Sequence, residues 1–367
     1  MAPRDDTHDN IEHRFPCDSC GSDLRFDPAS GDLTCDHCGA RTEIAAKDAT
    51  PIVELDFTAA LKDTLSEAEH TQTRISTCPN CAAKVEFDPK LHASECPFCA
   101  TPIVVGTGTT RLIKPKAVLP FSLEQSQARD AMTAWLGRLW FAPSGLQQYA
   151  RKGRALSGIY VPYWTFDADT KTTYAGQRGT IYYETKTIMR DGNRETRRVA
   201  KTRWQAVSGR VARWFDDVLV LASHSLPERD TKALSPWDLT DLTPYDPQYL
   251  AGLRAEGYTV SLSDGFAKAR QQMDRMIARD IRFDIGGDKQ RITSAETDMR
   301  DVTFKHILLP VWLAAYRYRG KSYRLVINGQ TGAVSGERPF SVIKITIAVI
   351  CALIVAAAIG AFVATNQ

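Results

Sequence analysis

The sequence predicts an α+β fold, on three observations. A four-cysteine pattern occurs twice within the first hundred residues, short apolar stretches of strand character alternate with Gly and Pro through the middle, and one uninterrupted apolar stretch of helical length lies near the C-terminal end. A chain of 367 residues has room for two or three domains, and its 43% hydrophobic and 24% charged composition is that of a protein that buries an ordinary core.

The net charge of +3 hides an asymmetry. Residues 1–100 hold 19 Asp or Glu against 9 Lys or Arg, so the excess of cations belongs to the rest of the chain. Residues 1–10 are polar and acidic, with no apolar stretch behind them, and so lack the pattern of a secretory leader. A chain that starts in the reducing cytosol uses paired cysteines as metal ligands more readily than as disulfides.

Cys17, Cys20, Cys35 and Cys38 are matched in spacing by Cys78, Cys81, Cys96 and Cys99, while Cys351 stands apart in the apolar tail. The repeat extends beyond the cysteines, because Phe26-Asp27-Pro28 and Phe87-Asp88-Pro89 fall at the same offset in each copy. A Cys-x-x-Cys knuckle lets two thiolates reach one ion, and two knuckles joined by a hairpin complete a tetrahedron. The eight cysteines therefore predict two structural Zn2+ ions, one per ribbon; iron is the alternative that the same donor set allows. Gly21 and Gly39 follow the second cysteine of each knuckle, where a positive φ is expected, whereas the second copy has Ala82 and Ala100. His37 lies between two ligands and reads as an exposed loop residue, since four thiolates already fill the site.

Between the copies, residues 57–70 predict a short helix with Asp56 as N-cap. A second helix is expected to open at the capping-box sequence starting with Ser122, to carry Met132, Trp135, Leu136, Leu139 and Trp140, and to close at Pro143; a third covers residues 265–279. Strands are expected at residues 160–166, 180–189, 198–209, 218–222, 308–318 and 322–328. Ile159-Tyr160-Val161-Pro162-Tyr163-Trp164 and Ile307-Leu308-Leu309-Pro310-Val311-Trp312 form a faint second repeat that reads as a pair of core strands. Residues 190–203 gather Arg190, Arg194, Arg197, Arg198, Lys201 and Arg203 about an Asp191-Gly192-Asn193 turn, a basic hairpin tip suited to anionic lipid headgroups.

From residue 345 to 363 there is no charge, and the stretch approaches the ~30 Å of a bilayer core at ~1.5 Å per helical residue. Arg338 and Lys344 precede it and no cation follows, so the positive-inside rule predicts a single-pass, tail-anchored chain with its N-terminus in the cytoplasm. The expected organisation is a zinc ribbon at 1–45, a helical spacer at 46–74, a second ribbon at 75–110, an α+β cytoplasmic domain at 111–340 and a transmembrane helix at 342–363.

The two ribbons, the Tyr160-Val161-Pro162-Tyr163-Trp164 and Lys305-His306-Ile307-Leu308-Leu309-Pro310-Val311-Trp312 segments and the terminal span together resemble a family of bacterial membrane proteins. Its members look like the zinc-ribbon proteins found beside phage-shock-protein-A-like genes, and often carry the name primosomal protein N′ or superfamily II helicase. The resemblance implies a protein of the bacterial inner membrane that recruits cytosolic or membrane proteins in membrane stress. Helicase chemistry is not expected: Gly320-Lys321-Ser322 has Ala315 where GxxxxGK[ST] needs its first glycine. His224, His306 and Ser225 suggest no nucleophile and base pair, so no enzyme is expected. Nucleic-acid binding is the alternative function, disfavoured by the acidity of the ribbon region.

Overall fold

The computed structural model describes residues 15–44, 51–73, 75–80, 83–86, 93–96, 98, 101–104, 110–143, 156–190, 193–318 and 321–365. Its scaffold is a mixed sheet built on three very long strands. The central strand, Ser157–Arg190, lies antiparallel to Asn193–Leu221 on one side and to Lys289–Tyr318 on the other. The last of these, the returning strand, also pairs with Lys321–Asn328, with Leu55–Asp56 and, in parallel, with Ala117–Val118. The mixed α+β class is as the sequence predicts.

The faint Pro-containing repeat becomes the heart of this sheet. Ile159 pairs with Val311, Val161 with Leu309 and Tyr163 with Ile307, all fully or almost fully buried. Pro162 and Pro310 sit opposite Ala222 and Gly329, one residue past the ends of Asn193–Leu221 and Lys321–Asn328, where no ladder bond calls for the missing N–H, and their carbonyls accept from Ala222 N at 3.0 Å and Gly329 N at 2.9 Å.

The separate strands expected at 160–166 and 180–189 are one strand, as are those expected at 198–209 and 218–222. Gly176 and Gly209 do not end strands: a Cβ on Gly176 would meet Ile285 Cδ1 at 2.8 Å and one on Gly209 would meet Tyr174 Oη at 2.6 Å, so both are points of close packing, and the pairing with Lys289–Tyr318 shifts register at Ala175/Gly176 without ending the strand. Further irregularity falls at Asp217 and Asp301, both at φ 50°, where the two outer strands bulge on either side of Asp167.

The helix expected at 265–279 runs from Leu262 to Ile285 and covers one face of the long strands. Ser261 caps it, accepting from Asp264 N at 3.1 Å. Its buried stripe, including Leu262, Ala269, Met273, Ile277, Ile281 and Ile285, keeps a helical period; removing those side chains from water contributes on the order of 10 kcal/mol before entropy is counted. Arg213 clamps it with a bidentate pair to Asp280 at 2.6 and 2.8 Å, and Tyr174 donates to Asp284.

Two other helices are corrected. The helix expected over 57–70 stops at Leu61, because Asp63 turns left-handed (φ 54°) and Thr64 N and Asp63 N bond back to the Ala59 and Ala60 carbonyls. Asp56 caps it as expected, accepting from Ala59 N at 2.6 Å. The second helix starts at Gln125, capped by Glu124 with Gln127 Oε1 accepting from Glu124 N at 2.8 Å, and ends at Gly137, which leaves Leu139 and Trp140 outside it.

Candidate metal centre and buried charge centre

Cys17 and Cys20 sit on the turn before strand Leu24–Asp27, and Cys35 ends strand Asp32–Cys35, which the hairpin at Gly31 brings back beside it. Each knuckle closes alike: Cys17 N donates to Ser22 O and Cys35 N to Ala40 O, while Gly21 N and Gly39 N turn back on Cys17 O and Cys35 O. Gly21 and Gly39 both adopt φ 74°, the conformation expected of them.

The four sulfurs lie within 4.8 Å of one another. Cys17 Sγ is 3.6 Å from Cys38 Sγ, and Cys20 Sγ is 3.5 Å from Cys35 Sγ. A tetrahedron with Zn–S bonds of ~2.3 Å has edges of ~3.8 Å, so the donor set fits a zinc-sized ion with little movement. Backbone amides already favour thiolates here: the Ser19 amide draws the Cys17 thiol down, and the Ser22 amide draws Cys20 down to about 6. Cys38 is pushed up to about 12, because its lowering by the Ala40 amide is outweighed by crowding from Cys20 and Cys17. A divalent cation relieves that crowding.

Cys17 and Cys35 are buried and belong to the cluster of Phe26, Leu33 and Ile44, which continues into Tyr160, Tyr249 and Trp312 of the sheet domain. Phe26 meets the Tyr249 ring edge-on at 5.5 Å and its amide donates to Ala251 O. The site therefore rests on the sheet domain, with Cys20 and Cys38 facing solvent. His37 is exposed, as expected of a loop residue.

Cys81 and Cys99 lie outside the described residues, as do Ala82, Ala100, Phe87, Asp88 and Pro89. What is described of the second copy repeats the first: Cys78 N donates to Ala83 O and Cys96 N to Thr101 O, each at 2.8 Å. Cys78 and Cys96 are buried with Ala83 and Phe98 in a cluster that includes Ile159, Val161 and Tyr163. Tyr160 faces the first copy's cluster and its neighbours Ile159 and Val161 face the second's, so the two repeats pack on opposite faces of the sheet.

A second polar centre escaped the reading of the sequence. Lys305, 7% exposed, holds its Nζ 2.8 Å from Glu54 Oε1, 2.8 Å from Asp217 Oδ1 and 3.7 Å from Asp167 Oδ2. The Asp217 bulge turns its amide to donate to Asp167. Burial raises the Asp167 carboxyl to about 6 despite the Asp217 amide and Lys305, whereas for Glu54 the cost of burial is overcome by Lys305 and Thr303, which hold it below its ordinary value. Asp167, Asp216 and Asp217 bring carboxylate oxygens within 4.8 Å of one another, and Lys305 is the cation set against them. A lysine preceding an apolar run was the available signal.

A third polar group is neutral by the same logic. Glu256, 2% exposed, accepts from Ser223 Oγ at 2.6 Å and Ser225 Oγ at 2.9 Å, and burial raises its carboxyl to about 8. His306 is buried, hydrogen-bonded through Nδ1 to Ile113 O at 2.8 Å and held near 4 by desolvation, so it is neutral. His224 is exposed. Ser225 is bound to Glu256 rather than to either histidine.

The fold and its centres define an α+β protein with a cysteine cluster able to hold a metal ion and one apolar helix, Val342–Thr365, long enough to cross a membrane. The chain is similar to the uncharacterized protein YdjG of Bacillus subtilis (strain 168), 25% identical over 329 residues that cover 89% of this chain and 90% of that one. No family model and no solved structure matches it.

Proposed function

We propose that this is a membrane-anchored zinc protein whose cytoplasmic domain is a scaffold for other proteins and not an enzyme. The observation that supports it most is the closed four-sulfur cluster at Cys17, Cys20, Cys35 and Cys38: thiolates at every tetrahedral position leave none for a substrate, so the ion would brace structure. By repetition, Cys78, Cys81, Cys96 and Cys99 would hold a second ion. The chain's resemblance to the zinc-ribbon proteins of phage-shock gene neighbourhoods agrees with a scaffold in membrane stress at the bacterial inner membrane.

The surface best shaped for a partner is the arm. Past Gly179, among the described residues, the central strand pairs only with Asn193–Leu221, and this two-stranded stretch is largely exposed on both faces. It carries Arg197, Arg198, Lys201 and Arg203; Arg198 stacks on Tyr183, Arg203 on Tyr182, and Lys201 pairs with Glu184. An acidic protein or anionic headgroups complement it better than nucleic acid does, since residues 1–100 hold 19 Asp or Glu against 9 Lys or Arg and would repel a long polyanion.

Photo-crosslinking in bacterial membranes from a reactive residue at Tyr183, which is 60% exposed, tests the reading. Discrete protein adducts that disappear when Cys17 and Cys20 are both replaced by Ser are the expected result. Adducts to nucleic acid alone, or none at all, would overturn it.

A further inference from the structure

We infer that residues 138–142 form a second membrane contact, which seats the folded domain on the lipid surface where the helix Val342–Thr365 enters. The inference rests on reading that helix as a membrane span.

Helix Gln125–Gly137 turns its apolar side inward, with Met132 and Leu136 buried, and Ala142 is buried just beyond it. Between them Trp140 is 79% exposed and Phe141 42% exposed. A core lay within reach on either side, so leaving an indole in water has no folding benefit.

The position of this segment identifies what covers it. Ser341 N donates to Phe141 O at 2.8 Å, and Lys344 Nζ donates to Ala142 O at 2.8 Å, so two neighbouring carbonyls of the segment are tied to the first turn of the terminal helix. Phe340, 58% exposed, lies beside that turn with the Arg338 guanidinium over its ring at 5.4 Å. Exposed Arg138 precedes Trp140. Three rings with cations, at the level where the uncharged stretch from residue 345 begins, have the composition of the zone between headgroups and acyl chains, where the indole body is apolar and its N–H stays wet. The cations suit a leaflet rich in anionic phospholipid.

The test uses the full chain in phosphatidylcholine and phosphatidylglycerol vesicles whose lipids carry bromine either near the headgroup end or near the methyl end of the acyl chains. Wild type is expected to show a blue-shifted tryptophan component quenched more by shallow than by deep bromines and shielded from aqueous iodide, and Trp140→Phe is expected to lose that component. Because Trp140 is so exposed, the variant should keep its fold, checked by an unchanged near-UV spectrum in detergent. Equal quenching of wild type and Trp140→Phe in chains that resist alkaline washing overturns this inference and leaves the span standing. Photo-crosslinking from position 140 to a second copy in place of lipid also overturns it. Release of the chain by alkali overturns the span reading first.

Discussion

Lys305 and Glu54 meet at 2.8 Å across the edge of the sheet, tying the returning strand to the short strand that follows the first cysteine repeat. With Asp217 equally close, the ammonium sits between two carboxylates, one of which the bulge at Asp217 holds in place beside Asp167. Burying this lysine cost desolvation energy, which only the surrounding carboxylates offset.

Lys305→Met is therefore expected to destabilise the full chain by on the order of 3 kcal/mol, since it leaves Glu54, Asp167 and Asp217 facing one another without a cation. Adding Glu54→Gln should restore part of the loss. Urea denaturation in detergent measures both, and an additive double variant would show that the two residues are not coupled.

Glu256 gives a pH dependence of definite sign. Its carboxyl loses its proton near 4.5 when unfolded and near 8 when folded, so between these values the native state binds more protons and stability falls as pH rises. The slope from this group approaches about 1.4 kcal/mol per pH unit in mid-range. Glu256→Gln, which keeps an acceptor for Ser223, should flatten the fall; thermal unfolding at pH 5 and pH 8 reads the difference.

Metal content separates the two cysteine repeats. Cys20→Ser and Cys38→Ser, changes at the solvent-facing ligands of the first cluster, should each cost one zinc per chain by atomic emission and leave a second that is lost in Cys78→Ser. Chelation should also free the first repeat from Tyr249 and Ala251, seen as faster proteolysis near Arg25.

Gly265 reports on how tightly the long helix is seated. A Cβ there would lie 2.6 Å from Trp164 Cδ1, and Trp164 is fully buried and fixed by its Nε1 donating to Val260 O at 3.1 Å. Gly265→Ala is thus expected to cost about 1–3 kcal/mol through overpacking, against a helix-propensity gain of up to about 1 kcal/mol. An increase in melting temperature would mean that the helix can lift away.

What was readable along the chain was local. The cysteine spacing predicted the first cluster, because the two cysteines of each knuckle sit on one short turn; Asp56 and residues 265–279 predicted their helices from equally local patterns, the third running on to Leu262 and Ile285. Helix ends were less readable, since the left-handed turn at Asp63 uses no glycine, and Ser122 offered a capping pattern that Glu124 and Gln127 satisfy instead.

By itself, then, the sequence determined the four cysteines of the first cluster, the apolar terminal helix and the α+β class, each a matter of residue type at short spacing. Only the tertiary structure decided that four of the expected short strands fuse into two long ones and a fifth lengthens into a third, that the cysteine repeats lie on opposite faces of the sheet, and that Lys305 finds Glu54, Asp167 and Asp217. Those results depend on strand register and on contacts between residues far apart in the chain, which no local pattern encodes: one residue of slip would turn Lys305 to the other face and leave its carboxylates without their cation.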